Sequence, residues 1–141
     1  MGSPGEPGII HQAVSQIFSA IEADDDRQYL LRVSYLEIYN ESLKDLLSPA
    51  SSGRASPLPI ELKIRESRGK IYVDPLKEEV VTRVEEVFDA LDRGEHSRHV
   101  GTTDWNSRSS RSHCVFTMTI ESTLKEGSGS TRISQLVYFR F

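Results

Sequence analysis

YLLRVSYLEIY, residues 29–39, carries apolar side chains on both of its sides. Leu31, Val33, Tyr35 and Tyr39 fall on one face of an extended chain; Leu30, Leu36 and Ile38 fall on the other. Side chains alternate across a strand, so a strand apolar on both faces belongs in the middle of a sheet covered on both sides. The stretch therefore predicts a layered α/β architecture.

The flanking segments fit that frame. Upstream, Ile10, Ala13, Val14, Ile17, Phe18 and Ile21 recur at helical spacing, predicting an amphipathic helix of about four turns over residues 9–23. The acidic run 24–26 ends it. Downstream, NESLKDLL (40–47) reads as a short helix, and the Ser/Pro/Ala-rich stretch 48–59 as a flexible surface loop. IELKIRE and KIYVDP flank a Ser-Arg-Gly turn, which predicts a hairpin with Gly69 in an unusual backbone conformation. Thr82 followed by Glu85 is a capping-box pattern, Val84, Val87, Phe88 and Leu91 form a core stripe, and Gly94 supplies a stop. Cys114, Phe116, Met118 and Ile120 alternate with threonines in a strand; KEGSGS is a turn, and TRISQLVYF the returning strand.

Composition sets bounds. A chain of 141 residues suits one domain, burying roughly 68–70% of its unfolded surface. A net charge of −4 argues against a nucleic-acid binder working through bulk electrostatics. The single cysteine, Cys114, excludes an internal disulfide and fits a reducing compartment. No run approaches the ~18 apolar residues of a membrane span, and the N-terminus does not resemble a signal peptide. A soluble intracellular chain without membrane or nucleic-acid partners is expected.

One stretch carries chemistry. NSRSSRSHCVF, residues 106–116, packs four serines, two arginines, an asparagine and a histidine before an apolar strand. Four readings compete. It is a solvated connection; a modification site whose phosphates pair with Arg108 or Arg111; a basic nucleic-acid patch; or an anion and metal site. The basic patch is the weakest. Residues 93–113 hold Arg93, Arg98, Arg108 and Arg111 against Glu95 and Asp104, with only Trp105 to stack on a base. For the last reading, serine hydroxyls can ligate Mg²⁺ directly or through water and line a γ-phosphate, while an arginine neutralises charge or latches the loop. His96 and His99 lack a cysteine or carboxylate to complete a metal set. Ser112 beside His113 is adjacency, not a hydrolase triad, and no G-x-S-x-G elbow exists.

NSRSSRSH resembles the switch I signature of the kinesin motor domain, N-x-x-S-S-R-S-H, with every fixed letter present. GIIHQAVSQIF resembles the helix after the kinesin phosphate loop, VSYLEIYNESLKDLL the central strand and its continuation, and KIRESRGKIYVDPLKEEVV the segment leading to the tubulin-facing loop. RGEHSRHVGTTDWN is similar to the approach to switch I, and CVFTMTIES and RISQL to the two strands after it. The likeness runs from about residue 8 to 136, and the EEVV and SRHVG wording leans toward the centromere-associated kinesins.

The resemblance implies a fragment of a mixed central sheet with helices on both faces, as in the kinesin nucleotide-hydrolysing motor domain. It implies Mg-ATP as cofactor and microtubules as partner, in the cytoplasm and on the cytoskeleton. Asn106, Ser109 and Ser110 would line the γ-phosphate, with Ser110 in the Mg²⁺ shell, through water, and positioning the attacking water. Arg111 would latch to a glutamate of switch II, and Ser112 and His113 would hold the loop at the start of its strand. Lys63, Arg65, Arg68, Lys70 and Lys77 would face tubulin.

Other parts of that machine are not in this sequence. It contains no G-x-x-x-x-G-K-[ST] and no D-x-x-G-x-E; after ISQL it reads VYFRF. His11 stands where the family usually has proline, and Trp105 where methionine is common. Residues 1–141 are thus expected to be a partial motor domain without phosphate loop or second switch. Alone it should bind Mg-ATP very weakly, lack motor activity and self-associate through exposed strands. The competing functions are a non-catalytic tubulin- or motor-binding fragment and an inert truncated product.

Overall fold

The computed structural model describes residues 8–48, 61–100, 112–126 and 129–140, the side chain of Val100 excepted. The expected loop at 48–59 lies, beyond Ser48, outside the described residues. The elements are α1 (Ile9–Glu22), β1 (Arg27–Tyr39), β2 (Ser42–Asp45), β3 (Lys63–Ser67), β4 (Lys70–Asp74), β5 (Glu79–Val81), α2 (Val84–Val100), β6 (Ser112–Leu124) and β7 (Arg132–Arg140).

β1 lies inside its sheet, as the apolar pattern of 29–39 requires. The order is β2-β1-β6-β7, with β5 also paired to β1. The ladder between β1 and β6 is antiparallel and runs from Arg27↔Leu124 to Tyr39↔Ser112. Among the described residues every pairing is antiparallel. β3 and β4 form a separate two-stranded hairpin.

Both helices pack on one face of the sheet. Ile10, Val14 and Phe18 of α1 and Val87, Ala90 and Leu91 of α2 meet Leu31, Val33 and Tyr35 of β1 and Cys114, Phe116 and Met118 of β6. Each large apolar side chain buried here contributes about 1.5–3 kcal/mol. The Tyr35 and Phe116 rings meet edge to face, 5.6 Å apart. The opposite face carries no helix among the described residues. There Leu30, Val80, Ile133, Val137 and Phe139 are 41–62% exposed, around the ion pairs of Arg32 with Glu78 and Glu121. No helix among the described residues is long and apolar enough to cross a membrane.

Three local expectations fail for identifiable reasons. Residues 40–47 do not form a helix. Asn40 and Glu41 take positive φ (48° and 59°), making a two-residue turn that folds β2 back on β1. The helical spacing of Leu43, Leu46 and Leu47 yields to strand pairing, with Ile38 opposite Leu43. Glu86, not Glu85, closes back on Thr82: its Oε2 accepts the Thr82 N–H at 2.7 Å and the Thr82 hydroxyl at 3.2 Å. Finally, Gly94 does not end α2, which runs on to Val100. A Cβ built on Gly94 would stand 2.1 Å from Cδ1 of Tyr35, so this glycine lets the Tyr35 ring pack against helix backbone.

Candidate functional site

The core changes character at one end of the layer. Along β1 the inward residues run Leu31, Val33, Tyr35, Glu37; along β6, Met118, Phe116, Cys114, Ser112; along β7, Leu136, Tyr138, Arg140. α2 does the same, burying Val87 and Leu91 and, one and two turns later, Glu95 and Arg98. Four elements thus turn from apolar to polar together, where residues 106–111 lead into β6.

Buried charges need partners, because leaving one unpaired costs several kcal/mol. Glu37 is 0% exposed, Arg98 7% and Glu95 8%. Arg98 lies between the two carboxylates: its Nε is 3.8 Å from Glu37 Oε1, and its Nη1 3.9 Å from Glu95 Oε2. Its Nη2 donates to Ser112 Oγ at 2.9 Å. Glu95 accepts from the Tyr35 phenol through Oε1 and from Arg140 Nη1 through Oε2, the latter at 2.7 Å. The two carboxylates and two guanidiniums balance.

The ionisable neighbours respond to this setting. Burial, then the hydrogen bond and negative charge of Glu95, push the Tyr35 phenol far above its usual range. Burial pushes the Cys114 thiol up to about 11, with Arg98 opposing and Glu37 and Glu95 adding to the rise. Both groups stay protonated at neutral pH, so Tyr35 remains a donor to Glu95.

Ser112 is the serine of the serine-rich stretch that lies among the described residues. It is 1% exposed, sits opposite Tyr39 at the last rung of the ladder, and is held by Arg98. His113, next along the strand, points to the exposed side. Asn106, Ser109, Ser110 and Arg111 lie outside the described residues. Among the described residues no group of three or more His, Cys, Asp or Glu side chains is placed to hold a metal ion.

The basic hairpin is a separate surface. Arg68 and Gly69 take positive φ (51° and 73°), so the turn expected around Gly69 forms at these two residues. Cross-strand register puts Lys63, Arg65, Lys70 and Tyr72 on one face and Ile64, Ile71 and Val73 on the other. Arg65 pairs with Asp74 at 2.8 Å and Lys63 with Glu61 at 3.2 Å. Lys77 lies off the hairpin, bound to Glu79 at 2.7 Å and to the Leu47 carbonyl at 3.2 Å.

Sequence reasoning found the motif and missed its support. Glu37, a carboxylate on the otherwise apolar inward face of its strand, was the available signal: a buried face tolerates such a group only beside a cation. Glu95 and Arg98, three apart on a helix, form the matching pair.

This layered arrangement is that of a motor domain. A solved structure described as a fast kinesin superposes with a TM-score of 0.83 over 97% of this chain and 37% of its own, at 36% identity. The profile of the kinesin motor domain matches residues 1–138. Kinesin-like protein KIN-7L of Oryza sativa subsp. japonica is 45% identical over 96% of this chain, and chloroplastic KIN-7L of Arabidopsis thaliana equally so over the same share. The chain belongs to the kinesin motor domain family. It spans 20% of the length of the first of these relatives and 13% of the second.

Proposed function

We propose that these residues are the part of an ATP-driven microtubule motor that carries the γ-phosphate-responsive loop and one tubulin-facing hairpin. The observation that carries this reading is the anchoring of Ser112. In sequence, residues 106–111 lead into a strand mouth whose first residue, Ser112, is buried and hydrogen-bonded, a fixed root for the residues before it.

The donor set of that segment fits a magnesium-bound triphosphate. In this reading the Asn106 amide and the Ser109 and Ser110 hydroxyls hold phosphate oxygens and, through water at Ser110, the metal. When bound, Mg-ATP supplies the phosphoryl group and the charge that the loop answers. Arg111 latches the loop to a carboxylate elsewhere in the motor. The basic face of Lys63, Arg65 and Lys70, with Arg68 at the turn, suits an acidic partner surface such as tubulin, and supports a cytoskeletal location. With no G-x-x-x-x-G-K-[ST] in its sequence, the isolated chain holds Mg-ATP very weakly.

The test uses the whole natural product that carries this sequence, after mass spectrometry has established its size. Ser110→Ala should lower microtubule-stimulated ATP hydrolysis by roughly 10²–10³-fold, the usual cost of one well-placed donor. Unchanged hydrolysis would remove the γ-phosphate role. A product of 15.9 kDa that co-sediments with microtubules without nucleotide, and hydrolyses nothing, would favour the second reading, a tubulin-binding module. The hairpin supports that alternative, because its basic face is built without any help from segment 106–111.

A further inference from the structure

Glu95, on α2, reaches β1, β7 and a second residue of its own helix at the polar end. Its Oε1 takes the phenol of Tyr35 on β1, and its Oε2 takes Arg140 on β7 at 2.7 Å and faces Arg98 one turn along α2 at 3.9 Å. Arg98 in turn holds Ser112, where the serine-rich segment joins β6. We infer that Glu95 is a positioning residue for Ser112 and the start of β6. It fixes Arg98 and ties β7 to α2, and so holds Ser112 in one place at the strand mouth that the motif leads into.

Arg98 has a planar fork, and three of its nitrogens face three different acceptors: Glu37, Glu95 and Ser112. A fork so engaged has one orientation. Remove Glu95 and Arg98 is left with Glu37 at 3.8 Å, free to turn toward it and away from Ser112. Arg140 loses its 2.7 Å partner in the same step, and the end of β7 loses its tie to the helix. Tyr35 loses the acceptor of its phenol at the place where Gly94 has already let its ring close on the helix. These changes converge on the strand mouth, not on the apolar core.

The inference rests on the proposed motor function for its kinetic arm and is independent of it for its structural arm. Glu95→Gln, which keeps size and shape, is compared with Glu86→Gln, which weakens the start of the same helix. Both are made in the whole natural product. Hydrogen exchange is read by fragment, and ATP kinetics are read per folded molecule.

In Glu95→Gln, fragments covering Ser112–Cys114 should exchange at least tenfold faster, with those covering Val84–Asp89 unchanged. kcat should fall roughly tenfold or more with KM for ATP within about threefold, the pattern of lost positioning and not of lost binding. Glu86→Gln should show neither effect. If the wild-type protein hydrolyses no ATP, the motor reading falls and the exchange result alone decides this one. Exchange at Ser112–Cys114 equal to wild type, or raised uniformly along α2, overturns the inference.

Discussion

α2 carries two clusters of charge little more than a turn apart, and they are held in opposite ways. At the surface, Glu79 pairs with Arg93 at 2.5 Å and with Lys77 at 2.7 Å. In the interior, Arg98 faces Glu37 and Glu95 at 3.8 and 3.9 Å. The shorter contacts are the weaker ones. Water screens the first cluster and can replace either partner; nothing replaces Arg98 between two buried carboxylates. The lesson is that burial, not distance, sets what an ion pair does for this fold.

The comparison can be broken first at its strongest point. Arg98→Ala leaves the Glu37 and Glu95 charges without the cation between them, and should cost about 3–5 kcal/mol in urea unfolding. A loss below 1 kcal/mol would put the two clusters in the same class. Next comes Gly94→Ala, which drives a methyl into the Tyr35 ring and should cost about 1–3 kcal/mol. Placing it in a Tyr35→Leu background should shrink that penalty, a coupling read by a double-mutant cycle.

The surface cluster gives smaller effects. Glu79→Gln should cost no more than about 1 kcal/mol at pH 7 and less in high salt. Arg93, then Lys77, hold the Glu79 carboxyl down from 4.5 to about 2. Its contribution is therefore complete above about pH 4.5 and lost as pH falls toward 2, so wild-type and variant urea midpoints should converge there. Cys114 adds no pH dependence near neutrality. Its thiol, raised from 9.0 to about 11, favours the folded state until pH rises through that interval. Alkylation at pH 8 should proceed only as fast as the strand mouth opens.

Much of this fold was legible because its signals are local. α1, β1, the β3–β4 hairpin, β6 and β7 each announce themselves by period or turn chemistry within about a dozen residues. What was hidden depends on distant partners. Gly94 is a stop signal to its neighbours in sequence, and becomes a helix interior only because Tyr35 needs the room. Residues 40–47 have helical spacing, and become a turn and strand only because β1 offers an edge. The serine-rich motif was readable letter by letter, whereas the Glu37, Glu95, Arg98 and Arg140 network behind Ser112 joins three segments, β1, α2 and β7, that no window spans.

The β1–β6 ladder also sets a schedule. Its partners lie between 73 positions apart, Tyr39 to Ser112, and 97 apart, Arg27 to Leu124. During synthesis at about 5–20 residues per second, β1 therefore waits roughly 4–20 seconds for the strand that completes its central position. Throughout that delay a thirteen-residue extended segment has only β2 and β5, short strands on one edge, as strand partners among the described residues. The same pattern that announces the centre of the sheet thus leaves one edge of this strand unpaired on the nascent chain for that interval.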